Sequence, residues 1–197
     1  MRILLLSMPD SFEHTPAVVI RMPNGALTSL AANLDAHHHV AVADLVLVQS
    51  SVRETVESLI REHQPDLVGL SVMTFQRTTA RRIISLIRAM RPSIKVAVGG
   101  YDPSLAPDAW THPELGVDFI VRGEGELTFC ELIRALEHST PLSAIAGLWY
   151  RDGGGFRTTA PRQVSAIESG QIKLPKRQKP GGYKEPDYPY KMVSEKY

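Results

Sequence analysis

The chain has 197 residues, 43% of them hydrophobic, and a formal net charge of +1. That length and apolar fraction support one well-buried domain with some chain left over, and a charge near zero gives no reason to expect nucleic acid or an acidic membrane surface as a partner. One cysteine, Cys130, excludes an intrachain disulfide and a cysteine-rich metal site. No apolar run approaches the ~18–20 residues of a membrane span. Pro9, Asp10 and Glu13 interrupt the apolar start too early for a signal peptide, so the expected location is the cytoplasm.

Ile3 to Leu6 read as a first buried strand, followed by a long irregular stretch, Ser7 to Asn24, punctuated by Pro9, Pro16 and Pro23. Loops of that length in compact domains are usually functional or disordered. Asn24 or Thr28 is a candidate cap for a helix with Leu27, Leu30, Ala31 and Leu34 on one face. His37, His38 and His39 end that helix, and a strand from Val40 to Leu45 follows. Ser50 or Ser51 caps a helix whose apolar stripe is Val52, Val56, Leu59 and Ile60. The third strand is Leu67 to Val72, a continuous aliphatic run of the kind buried on both faces. A helix from Thr78 to Met90 turns Ile83, Ile84, Ile87 and Met90 inward and Arg81, Arg82 and Arg88 outward, and Pro92 ends it. The fourth strand, Ile94 to Val98, runs into Gly99-Gly100-Tyr101-Asp102-Pro103; a short helical piece spans Pro107 to Trp110. The fifth strand, Asp118 to Val121, leads into Arg122-Gly123-Glu124-Gly125-Glu126, which opens a helix through Leu127, Leu132, Ile133 and Leu136.

Strand and helix thus alternate five times, which predicts an α/β fold: a doubly wound, five-stranded parallel sheet over residues 1–140. Residues 141–165 read as a β-hairpin with a turn at Gly153-Gly154-Gly155, and residues 166–197, rich in Pro and Lys without a periodic apolar face, as a linker or extended tail.

Candidate chemistry gathers at the carboxyl ends of the strands, where open parallel sheets bind ligands. Gly99 and Gly100 permit positive φ and close approach of a ligand to the backbone. Gly123-Glu124-Gly125 can expose backbone N–H groups at a helix N-terminus, with Glu126 suiting the dipole. Ser71 and Thr74 can bind a ligand at the sheet mouth or cap the helix beginning near Gln76. The first loop holds SMPDSFEHTP rather than a dinucleotide glycine fingerprint, and no phosphate-loop GKS or GKT occurs, which weakens NAD and ATP readings. His37-His38-His39 is read as no metal site, since successive residues at a helix end point in different directions. His14 lies in the first loop, where it could reach a ligand, although a lone histidine is more often surface or structural, and Cys130 reads as a small core residue of the last helix.

LVGLSVMT (Leu67 to Thr74), KVAVGGYDPS (Lys95 to Ser104), VDFIVRGEGELTFCELIRAL (Val117 to Leu136) and IAGLWYRDGG (Ile145 to Gly154) occur in an order and context that carry a resemblance. The chain to about residue 165 resembles the N-terminal cobalamin-binding domain of cobalamin-dependent radical S-adenosylmethionine (SAM) enzymes, of methyltransferase or anaerobic oxidative cyclase type. The resemblance implies a flavodoxin- or Rossmann-like sheet with cobalamin across its carboxyl edge. It places the nucleotide tail beside Ser71, Val72, Thr74, Gly99, Gly100 and Tyr101. Gly123, Glu124 and Gly125 then line the same edge near the ring or its amide arms, and the loop from Met8 and Pro9 to Met22 faces the lower side of the corrin. The Asp-x-His-x-x-Gly motif of mutase-type cobalamin domains is missing: Asp10 precedes Ser11 and Phe12, and His14 sits four residues on. The resemblance therefore implies no protein histidine on cobalt. The chain also lacks the CxxxCxxC that holds a [4Fe–4S] cluster. Cluster and SAM are expected on a radical SAM barrel supplied in cis or trans, with this chain a fragment or a stand-alone carrier and no catalytic residue of its own.

Two other readings stay open. A response-regulator-like signalling domain needs an Asp at the end of the third strand, where Ser71 stands. A nucleotide-sugar-binding domain would use the Gly-Gly and Gly-Glu-Gly loops, and fold likeness alone does not separate it from the first.

Overall fold

The apolar runs become strands of one sheet in the computed structural model, which describes residues 1–10, 12, 25–48, 50–164, 170, 172–173 and 193–194. Strands β1 (Arg2–Ser7), β2 (His39–Asp44), β3 (Leu67–Ser71), β4 (Lys95–Gly99) and β5 (Phe119–Val121) are parallel and lie in the order β5-β4-β3-β1-β2. Chain direction across the sheet therefore reverses at β1, whose two neighbours are β2 and β3. In open α/β sheets a crevice lies outside the carboxyl ends of the strands at such a reversal.

The crossovers between parallel strands include α1 (Gly25–Asn33), α2 (Val52–His63) and α3 (Arg77–Met90); a short α4 (Tyr101–Leu105) follows β4, and α5 (Gly125–His138) follows β5. Period-2 alternation divides the core. Leu4, Leu6, Val68, Leu70, Val96 and Val98 face α2 and α3, which supply Val56, Leu59, Ile83 and Ile87. Ile3, Leu5, Leu67, Ala97 and Val121 face α1 and α5, which supply Leu27, Phe129, Leu132 and Ile133. Cys130 is buried in α5, as expected, its thiol donating to the Asn33 carbonyl at 3.3 Å.

Several local expectations are revised. The hairpin, β6 (Leu148–Asp152) and β7 (Gly155–Thr158), is no appendage: β6 pairs antiparallel with β5 and continues the sheet, with Gly153 at φ +60° in its turn. Within the stretch expected to be tail, β8 (Val193–Ser194) pairs antiparallel with β2, and the Lys173 N–H donates to Asn33. Arg81 and Arg88 do not point to solvent. Arg81 reaches the Ala109 carbonyl and lies over the Trp110 ring, while Arg88 donates to the Gly116 and Pro92 carbonyls and pairs with Asp118. Long guanidinium arms cross apolar surface to collect carbonyls that loops leave open. Ser51 is the N-cap residue of α2 but makes no side-chain cap bond, and Thr28 sits inside α1. Asn24 and His14 lie outside the described residues.

Just beyond α1, Asp35 receives a two-pronged bond from Arg134 of α5, both contacts 2.7 Å. That bond pulls the carboxyl from 3.8 to about 2. A lowered folded-state value stabilises the fold fully above the unfolded value and is lost as pH falls from about 4 through 2. Asp35→Asn is expected to flatten part of the acid limb in urea midpoints measured across that window. With side chains 30% and 53% exposed, the effect stays under about 1 kcal/mol.

Candidate functional site

A cavity of about 980 Å³ opens at the carboxyl edge of the sheet, on the α1/α5 face. Missing side-chain volume creates it. On that face, adjacent positions of β3 and β4 carry Gly69 opposite Ala97 and Ser71 opposite Gly99, and all four line the cavity. Leu5, Val121, Leu27, Leu30 and Phe129 complete a largely apolar wall. A Cβ on Gly69 would lie 2.8 Å from Leu5 Cδ2 and 3.6 Å from the Phe129 ring, so even a methyl group would crowd this floor.

The wall at Gly99-Gly100 is held by backbone. The Val72 N–H donates to the Gly99 carbonyl at 2.8 Å, and the Asp102 N–H donates to the Val72 carbonyl at 3.1 Å. Gly100 lies between at φ +96°, where a Cβ would stand 2.9 Å from both Val72 N and Val72 O. Only glycine meets both demands. Gly99 differs: its Cβ would make ordinary contact with Val121 at 3.5–3.6 Å. Asp102, 1% exposed, then anchors the turn. Its carboxylate takes two bonds from Arg77 of α3, at 2.9 and 2.7 Å, and one from the Trp110 indole at 2.8 Å. The partner carboxylate raises the Arg77 guanidinium further above its already high value.

Polar groups mark the rim. The buried Gln76 amide joins the exits of β1 and β3: Nε2 donates to the Met8 carbonyl at 2.8 Å and to Asp10 at 3.3 Å, while Oε1 accepts from the Met73 N–H at 3.0 Å. Ser7 and Asp44, at the ends of β1 and β2, are buried and share a hydrogen bond, and Asp44 also accepts from the Val46 N–H. Glu126 accepts from Ser29 at 2.8 Å, tying α5 to α1, and the Gly123 N–H donates to Ser104 at 3.0 Å. Asp10, Asp44, Glu124 and Glu126 all line the cavity, and no lysine, arginine or histidine does so among the described residues. The exposed large hydrophobic side chains Met73, Phe75, Tyr101, Leu105 and Val164 stand around the same mouth.

Of the residues singled out from the sequence, Met8, Ser71, Gly99, Gly100, Tyr101, Gly123, Glu124 and Gly125 line this one cavity. Val72, Pro9 and Thr74 do not. Alternation sends the Val72 side chain into the opposite core, Pro9 is buried beside the β1 exit, and Thr74 is exposed in a 3₁₀ turn, Thr74–Gln76. Neither Ser71 nor Thr74 caps α3; Gln76 holds the cap position. Gly69, Ala97, Phe129, Gln76 and Asp102 went unrecognised from sequence. The signal for the first two was small residues at alternate positions 69, 71 and 97, 99; Gln76 and Asp102 act through contacts distant in the chain.

A family model described as the B12 binding domain matches residues 18–133, more than half of the chain. An uncharacterized methyltransferase of Pyrococcus horikoshii is 30% identical over 83% of the chain, and an anaerobic magnesium-protoporphyrin IX monomethyl ester cyclase of Synechocystis is 33% identical over 82%. The chain spans about a third of each relative, 36% and 33%. Among solved structures, the radical SAM methyltransferase TsrM of Kitasatospora setae, with cobalamin and a [4Fe–4S] cluster bound, superimposes with TM-score 0.65 at 26% identity over 88% of this chain and 31% of its own. The cobalamin-dependent SAM radical enzyme OxsB, with aqua-cobalamin and SAM bound, shares the fold, with TM-score 0.67 at 22% identity over 88% of this chain and 24% of its own.

The two adjacent glycines are expected to behave differently. Gly100→Ala should lower unfolding stability by about 1–3 kcal/mol through positive φ and the clash with Val72. Gly99→Ala should stay within about 1 kcal/mol. Urea unfolding of both variants checks the contrast.

Proposed function

The chain belongs to the B12-binding domain family, and from that premise we propose that it holds cobalamin at the carboxyl edge of its sheet, as the binding module of a radical SAM enzyme. The observation that carries this is the chemistry of the cavity: a deep apolar groove under a rim with four carboxylates and, among the described residues, no basic side chain. Carboxylates accept hydrogen bonds from neutral carboxamide arms, of which a corrin has many, whereas a nucleoside diphosphate sugar would set a charged diphosphate against them in place of the single phosphodiester of a cobalamin tail. The same rim disfavours the nucleotide-sugar reading. Ser71 at the end of β3 disfavours the signalling one, which requires an aspartate there.

In this reading Gly69, Ser71, Ala97 and Gly99 make room for the nucleotide tail between sheet and α5. The Gly123–Gly125 turn borders the ring, and the β1 exit at Met8 faces its lower side. This reading leaves cobalt without a protein nitrogen ligand, because the sequence lacks the Asp-x-His-x-x-Gly motif that would supply one. Bound cobalamin supplies a cobalt centre able to carry a methyl group; the protein binds, orients and screens it from water. The exposed apolar rim around Phe75, Tyr101 and Leu105 faces the side where a radical SAM domain, in cis or in trans, would close the site. That domain would hold the [4Fe–4S] cluster and SAM, and the whole protein would perform methyl transfer or oxidative cyclisation. No helix of the described residues is long and apolar enough to cross a membrane, and the proposed setting is the cytoplasm.

Mixing the protein with hydroxocobalamin, desalting and recording the visible spectrum tests the proposal. Corrin absorbance is expected to co-elute near one equivalent, with band positions lacking the signature of a nitrogen ligand. Gly99→Leu should abolish retention while leaving the fold intact by circular dichroism. Wild-type protein that elutes free of corrin at micromolar concentration would refute the reading for this chain.

A further inference from the structure

At the amino edge of the sheet, away from the cavity, chain reversal after α1 brings two histidines to the last turn of α5. His37 and His38 lie in the turn before β2 rather than at a helix end, so these two neighbours converge where three in a helix would not; His39 enters β2 and is exposed. His37 Nε2 is 2.9 Å from each oxygen of Glu137. The His38 side chain is fully buried, its Nε2 stands 3.9 Å from Glu137 Oε2, and that nitrogen has no hydrogen-bond partner among the described residues. A buried, unpartnered ring nitrogen carries a desolvation cost that a ligand would remove. The three donor atoms lie within 4.8 Å of one another. Tetrahedral zinc with bonds of ~2.0–2.1 Å spaces its donors about 3.3 Å apart. Modest rotation of the exposed His37 and of Glu137 therefore closes the set.

We propose that His37, His38 and Glu137 form a binding site for a divalent transition-metal ion of the zinc class. Two imidazoles and one carboxylate suit Zn²⁺, and the fourth position is left to water. Burial, reinforced by the nearby Met1 amine and His37, lowers the His38 pKa and favours the neutral ring that a metal needs. The Met1 ammonium donates to His38 Nδ1 at 3.1 Å, which leaves the proton on Nε2 in the metal-free state. Metal binding at Nε2 requires that the proton there be given up. The other charged groups at the site are His138, 3.9 Å from Glu137 Oε2, and the Asp35–Arg134 pair. An ion here would clamp the α1–β2 turn to the C-terminal end of α5, the helix whose first turn lines the cofactor cavity.

The test uses tag-free, EDTA-treated full chain titrated with Zn²⁺ by calorimetry and with Co²⁺ by visible absorbance. One Zn²⁺ per chain, a rise in Tm with Zn²⁺, and a ligand-field band with Co²⁺ are expected. His37 is 58% exposed, so His37→Ala should fold normally yet bind Zn²⁺ at least about tenfold more weakly. Glu137→Gln should lose affinity likewise, and cobalamin retention should not change in either variant. Failure of the wild type to take up Zn²⁺ saturably, or affinity as high as wild type in both variants, would overturn the site.

Discussion

The pairing of the Gly99-Gly100 turn with the exit of β3 is the constraint on which the cavity depends. Two backbone hydrogen bonds clasp Val72 from either side, and a side chain on Gly100 would separate them. With the turn closed, α4 starts at a fixed angle and Asp102 is carried into the core beside Arg77 and Trp110. A buried carboxylate is stable only when its oxygens are satisfied, and here three charge-assisted or indole bonds do so. Position and anchoring of the wall therefore arise together. The open volume in front of it exists because neighbouring strands place glycine, alanine and serine where leucine or valine would ordinarily meet the helices.

Electrostatics separates what the fold alone leaves together. Doubly wound sheets commonly present helix N-termini and glycine turns to anions. This one surrounds its mouth with Asp10, Asp44, Glu124 and Glu126, while Arg134, Arg77 and Arg88 pair elsewhere with Asp35, Asp102 and Asp118. The arrangement selects for a ligand rich in neutral donors. It agrees with membership of the B12-binding family. The ring of exposed apolar side chains at the mouth is where the proposed partner domain would close on the module.

Much of the architecture was legible in sequence. Aliphatic runs with helix-sized intervals located the parallel strands, and the glycine turns located the carboxyl edge. Less legible were the long polar side chains. Arg81 and Arg88 follow the outward pattern of an amphipathic helix, yet their guanidinium groups fold back onto carbonyls supplied by residues 109 and 116. Thr74 has the chemistry of a cap, but the Gln76 side chain takes the Met73 N–H. The hairpin reads as a separate unit because local periodicity cannot reveal that its outer partner is β5.

What the sequence by itself determined is element type, order and the side of the sheet on which a ligand would lie, because periodicity and glycine placement are local properties. Only the tertiary structure decided which small residues share a wall and that Gly100 rather than Gly99 is the indispensable glycine of the turn. It also decided that, among the described residues, carboxylates alone of the charged groups border the cavity, and that His37 and His38 meet Glu137 across 100 residues of chain. Each of these depends on the register between strands and the packing of α1 against α5, and such long-range contacts leave no periodic trace in the chain.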